Sequence, residues 1–219
     1  GHLPHLARFI ERAKLRYGAD CNDYAGLHRW SVENPAAFWG AVARFCDLRF
    51  KRGASRVLEN GDQMPGARWF PGAELNLAEN LLRWRDGHLE MIDQRVLPQR
   101  FEYLRYGNAA EVAEGIRSMV VRGAPAIGCA AAYGVALEAL ALQGATPDAF
   151  SAGLEQGLRV LAASRPTAVN LFWALKRMRG VWEASQHRPN ADAAAALLLE
   201  AHEISAEDVR INRAMGVHG

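Results

Sequence analysis

Seventeen consecutive residues, AIGCAAAYGVALEALAL from Ala126 to Leu142, carry one charge, Glu138. A helix this apolar on every side has to be surrounded, either by lipid or by the rest of its own fold. The stretch falls short of the roughly 20 residues that cross a bilayer, and a carboxylate interrupts it. It therefore predicts the central helix of a packed bundle, and no membrane partner is expected. The rest of the 219-residue chain is long enough to supply the surround, with half its residues hydrophobic and 23% charged. That length suits two modest domains.

Charge excludes another class of partner. The formal net charge is +2, from 26 Lys and Arg against 24 Asp and Glu, with no basic block, so nucleic acid is not expected. The three cysteines, Cys21, Cys46 and Cys129, share no metal-ligand spacing and lie in apolar settings. They predict buried free thiols, no metal site and a reducing, cytoplasmic location.

Along the chain, Leu6, Phe9, Ile10 and Ala13 recur at helical spacing and Gly18 supplies a stop. In ENPAAFWGAVARFC, Asn34 reads as an N-cap and Pro35 as the first helical residue. Repeated Gly and Pro between Arg52 and Gly72 predict loop with about two short strands. A brief helix is expected over Leu75–Leu82. HLEMIDQRVLP and RFEYLRYG, bounded by Gly87, Pro98 and Gly107, predict a small antiparallel sheet. Beyond Asn108 the reading is helical. Asn108 caps a helix with Val112, Ile116 and Met119 on one face, and Thr146-Pro147 starts another with Phe150, Leu154, Leu158 and Leu161. A helix is expected from about Thr167 to Trp182 and another over HRPNADAAAALLLEAHEI. Ser205 with Asp208 resembles a capping box for a final one. The fold class is mainly α with small antiparallel β elements: a helical N-terminal cap, a small sheet and a helical bundle.

Two of these helix starts share a feature. Arg122-Gly123-Ala124-Pro125 sets a cation at the positive end of a helix, where an anion is favoured. Gly123 allows the turn, Pro125 fixes the first helical φ, and the free N–H groups of the first turn face whatever lies before them. With a guanidinium fork beside them, such groups suit a phosphate. Arg165-Pro166-Thr167 repeats the scheme, with the Thr167 hydroxyl available as cap or ligand contact. The alternative is that each arginine pairs with a carboxylate from another segment. Trp30, Trp39, Trp69 and Phe70 read as core aromatics of the N-terminal cap rather than a stacking platform.

Three segments, LRWRDGHLEMIDQRVLP, IRSMVVRGAPAIGCAAAYGVAL and SRPTAVNLFWALKRM, resemble the N-terminal part of the methylthioribose-1-phosphate isomerase family, relatives of the regulatory subunits of initiation factor 2B. The resemblance covers residues 83–219. It implies an aldose–ketose isomerase of methionine salvage, with a phosphorylated pentose, methylthioribose 1-phosphate, held by Arg122, Gly123, Ala124 and Arg165, and with no cofactor. The family's catalytic cysteine and aspartate lie in motifs further along, in a Rossmann-like domain not found in this sequence. Cys129, within the apolar helix, is no substitute. His202, His218 and Asp208 read as helix-surface or terminal residues, so no catalytic residue is assigned and the chain alone is expected to be inactive. DYAGLHRWSVENPAAFW and MPGARWFPGAELNLAENLL resemble the N-terminal region of the acetoacetyl-CoA synthetase family over residues 6–82. The two resemblances abut near NLLRWRDG, which predicts domains at 1–82 and 83–219 and a fusion of two N-terminal pieces. Alternative expectations are a ligase-type module that takes CoA or acetoacetate, or a non-enzymatic helical association module. Apolar surface left uncovered predicts self-association, so a homo-oligomer is a candidate state.

Overall fold

The computed structural model describes residues 4–75, 80–97 and 100–218. The chain forms two compact units, residues 1–76 with 96–101, and residues 77–95 with 102–219. This division lies ahead of the 82/83 junction expected from the resemblances. Leu82 is already strand, paired with Met91.

The first unit opens with α1 (Pro4–Tyr17), α2 (Tyr24–Glu33) and α3 (Pro35–Phe45). Asp23 caps α2 by accepting from Gly26 N at 2.7 Å, and Pro35 takes the first helical position of α3 as expected. Phe9, Ala13, Leu27, Trp30 and Ala41 form its core, with Phe38 and Phe45 packed against them. Four short strands follow in two antiparallel pairs: β1 (Phe50–Arg52) with β4 (Glu74–Leu75), and β2 (Leu58–Glu59) with β3 (Arg68–Trp69). Trp30 is buried, but Trp39 and Trp69 are 45% and 47% exposed and meet edge to face at 5.9 Å. They do not belong to the core assigned to them from sequence: Trp69 lies on a two-stranded pair with no second layer to cover it, and Trp39 leaves α3 beside it. Of the brief helix expected over Leu75–Leu82, residues 76–79 lie outside the described residues. Asn80 and Leu81 are helical as expected, while Leu75 belongs to β4 and Leu82 to the next strand.

The second unit begins with a three-stranded antiparallel sheet in the order β5 (Leu82–Arg85), β6 (His88–Ile92), β7 (Tyr103–Tyr106). Asp86 and Gly87 make the two-residue turn between β5 and β6, both with positive φ. Leu89 and Met91 alternate into the core. Glu90, buried on the other face, accepts from Arg105 Nε at 2.8 Å. The helices follow: α4 (Ala109–Arg117), α5 (Ala124–Leu142), α6 (Pro147–Ala162), α7 (Val169–Ala184) and α8 (Asn190–His218). Helix α5 packs against α4, α6, α7 and α8, and every residue from Ala126 to Leu137 is buried. By length and composition α5 could cross a membrane, but 72% of its most apolar window is covered by its own fold. Glu138 has a local use there: its carboxylate accepts from Ala109 N at 3.0 Å and so caps the start of α4.

Asn108 and Thr146 cap their helices through Glu111 N and Ala149 N. Two boundaries differ from expectation. Met119 lies past the end of α4 with φ +61° and is 47% exposed, so it leaves the apolar face assigned to it. The capping box expected at Ser205 and Asp208 does not form, and α8 runs unbroken through it. Residues 190–211 contain neither Gly nor Pro, and the Ser205 hydroxyl is drawn to the Cys129 thiol instead.

Candidate anion-binding site

The start of α5 follows the sequence reading closely. Gly123 is the N-cap at φ +96°, a conformation that a side chain would strain, and Pro125 lies in the first turn. Arg122 is exposed immediately before it. The start of α7 is later than expected. Ala168 N donates to Arg165 O at 3.1 Å, so Arg165-Pro166-Thr167-Ala168 closes a turn and the helix begins at Val169. Thr167 is therefore no N-cap, because Pro166 serves the turn rather than the first helical position. Among the described residues neither Arg122 nor Arg165 has a carboxylate partner.

The fold brings the two helix starts together. A Cβ added at Gly128 would lie 3.0 Å from the backbone carbonyl oxygen of Asn170, so α5 and α7 approach there more closely than a side chain comfortably allows. Pro125 and Gly128 on one side and Val169 and Asn170 on the other border a cleft of about 280 Å³. Arg122, Gly123, Ala124 and Arg165 are not among the cleft's lining residues, and the structure shows no hydrogen bond among them. The far wall comes from α8, as Ile204, Glu207, Asp208 and Ile211. Glu207 pairs with Arg177, which also holds Glu200. Asp208 stays beside Cys129. Burial chiefly, and Asp208 next, push that thiol up to about 12, against the opposing pull of its hydrogen bonds to backbone and Ser205. Cys129 is no nucleophile at neutral pH. Among the described residues no group of His, Cys, Asp and Glu has the arrangement of a metal site.

His202 departs from the surface position expected for it. Its ring is half-buried, Nδ1 is 2.9 Å from Tyr133 Oη, and it meets Trp84 and Tyr133 edge on at 5.9 and 5.4 Å. Trp84 and Tyr133 stack at 5.5 Å. Burial lowers the imidazole pKa, which keeps the ring neutral at physiological pH. Sequence reading missed this cluster. The signal was Tyr133, the one hydroxyl in α5, which had to find a partner. Asp208 borders the cleft half-buried rather than lying free on a helix surface, and the His218 side chain lies outside the described residues.

With this geometry in place, likeness to known proteins becomes specific. Residues 120–219 match the initiation factor 2 subunit family, and residues 24–81 match the acetyl-coenzyme A synthetase N-terminus. Over 142 residues the chain is 73% identical to methylthioribose-1-phosphate isomerase of Albidiferax ferrireducens, covering 65% of this chain and 40% of that enzyme. The second unit resembles the N-terminal part of these isomerases. The crystal structure of 5-methylthioribose 1-phosphate isomerase from Pyrococcus horikoshii agrees, with a TM-score of 0.56 and 39% identity over 58% of this chain and 36% of that one. The delta subunit of translation initiation factor eIF-2B from A. fulgidus gives a TM-score of 0.55 and 36% identity over 59% of this chain and 37% of its own. The chain thus spans about two fifths of the length of the isomerase it matches at 73% identity.

Proposed function

We propose that the second unit is the sugar-phosphate-holding part of an aldose–ketose isomerase, with methylthioribose 1-phosphate as ligand. The observation that carries this reading is the pair of arginines without carboxylate partners among the described residues, Arg122 just before α5 and Arg165 in the turn that leads into α7, on two helices that approach closely at Gly128 and Asn170. A phosphate before α5 would meet the free N–H groups of its first turn and the Arg122 fork, and Arg165 would close on it from the turn that precedes α7. Isomerisation also needs hydrogen to move between C2 and C1, and hence a group that exchanges protons near neutrality. Cys129 is held near 12, and the His202 ring is engaged with Tyr133. This chain on its own therefore binds the sugar phosphate and does not turn it over.

Calorimetric titration with methylthioribose 1-phosphate tests the reading. Saturable binding is expected in the parent, weakened about tenfold or more in Arg122→Ala and in Arg165→Ala, as for loss of one charge-assisted contact. A parent that is folded by circular dichroism yet binds nothing would sink it. A second reading, a non-enzymatic association module, draws on the exposed apolar residues Val169, Phe172 and Trp173 at the start of α7. Concentration-dependent self-association without ligand binding would favour that reading over the first.

A further inference from the structure

The segment that carries Arg122 is pinned from two sides. Ser118 is the C-cap of α4, and only Met119–Arg122 separate it from Gly123, the N-cap of α5. Met119 N donates to Ile116 O at 3.2 Å and Val120 N to Gly115 O at 2.9 Å, the paired bonds of a Schellman motif. Met119 takes the left-handed position of that motif at φ +61°, where glycine is usual. Val120 and Val121 are then buried, and Arg122 is the first residue to emerge ahead of the N-cap.

The other restraint comes from the sheet. Gln94, two residues past the end of β6, donates from its backbone N to Val120 O at 3.0 Å. Asp93 sets the direction of that bond. Its carboxylate accepts from Arg95 N at 3.0 Å, closing an Asx turn with Gln94 at the centre. The Arg95 side chain forks onto the same carboxylate, Nε to Oδ1 at 2.8 Å and Nη2 to Oδ2 at 2.7 Å. Asp93 N donates to Glu102 O at 3.0 Å, which fastens the turn to the approach of β7. Burying a carboxylate–guanidinium pair yields little net stability, because desolvation offsets the attraction. What such a pair fixes well is position. Glu90 and Arg105 form a second pair in this sheet, also at 2.8 Å, but theirs joins β6 to β7 rather than to the α4–α5 connection.

We propose, on the reading that a sugar phosphate binds before α5, that Asp93 is a positioning residue for that site. Through the Asx turn and the Gln94 N–H it places Val120, and with it Arg122 and the N–H groups of the first turn of α5. Asp93 is 2% exposed and acts without touching the ligand. The experiment joins calorimetric titration of methylthioribose 1-phosphate to amide hydrogen exchange followed by NMR, both on the full chain. Asp93→Ala should weaken binding about tenfold and speed exchange of the Gln94 amide by a similar factor. Asp93→Asn keeps an acceptor for Arg95 N and should recover most of that affinity. Arg95→Gln keeps the turn without the fork and should lose affinity severalfold. Glu90→Ala, matched in chemistry, should lower the melting temperature as Asp93→Ala does, yet leave affinity within about twofold of the parent. Unchanged affinity or unchanged Gln94 exchange in Asp93→Ala overturns the proposal, as do equal affinity losses in Asp93→Ala and Glu90→Ala. In each of those cases binding by the parent still upholds the sugar-phosphate reading. A folded parent that binds nothing sinks that reading, and the positioning role with it. Should Asp93→Ala fail to fold, Arg95→Gln carries the comparison with Glu90→Ala, and equal affinities in those two overturn the proposal.

Discussion

The two units reach stability by opposite routes. The second builds its core from small residues: α5 is buried from Ala126 to Leu137, and helices approach until backbone meets backbone at Gly128. The first builds from large rings, with Phe9, Trp30, Phe38 and Phe45 meeting edge to face, and leaves two tryptophans half in solvent. Small residues allow close, many-sided packing that tolerates little change. Rings fill space from few positions and leave clefts at their margins. This difference explains why the second unit's candidate site is set by helix geometry, while a cleft between α1 and α3 of the first unit is walled by side chains.

The sharpest way to break that contrast is to hollow the second core. Leu161, fully buried against α5, should cost about 3 kcal/mol on change to Leu161→Ala. Urea titration should show a shift in one transition, with the signal of the first unit unchanged. A single merged transition for both units would mean that they do not unfold independently.

The helix caps offer a matched and smaller test. Asp23→Ala removes the cap of α2 in the first unit, and Asn108→Ala that of α4 in the second. Each should cost about 1 kcal/mol. The same loss should lower the midpoint of the first unit further, because it has the smaller core to draw on. Equal shifts in the two midpoints would show that the two units expose similar areas on unfolding.

The smallest effect is one of pH. Burial lowers the His202 pKa below its ordinary 6.5. The unfolded chain therefore takes up its proton first, and the stabilising contribution is complete above about pH 6.5. It is lost as pH falls from there through the lower, folded value. Thermal melts of the second unit should drop across that window, and His202→Gln should flatten the drop. The fluorescence of Trp84, edge-on to this ring, should report the same titration.

Much of this was legible in the chain, for reasons that differ by element. The caps at Asn108 and Thr146 and the start at Pro35 depend on neighbours within four residues, so local pattern sufficed. Residues 126–142 had one soluble solution, burial inside a bundle, and Arg122 with Gly123 declared their turn. The remainder turned on distant partners. Ser205 looks like a cap until Cys129 is placed beside it. His202 looks like a surface residue until Tyr133, 69 positions away, claims its ring nitrogen. The strand at 82–85 was missed although Asp86-Gly87 is a strong hairpin signal. That Pro125 and Asn170 border one cleft could not be read from either segment alone. Nor could the absence of carboxylate partners for Arg122 and Arg165.

The contact at Gly128 has a thermodynamic side as well. Where two helices are spaced by a side chain, thermal rotamer motion loosens whatever both helices hold. Here the spacer is a peptide carbonyl, that of Asn170, against bare Cα. The distance between the two helix starts is thus settled during folding, and a ligand reaching both finds most of the ordering entropy already spent. On this view any methyl group introduced at residue 128 would act on affinity before any contact with the ligand is touched.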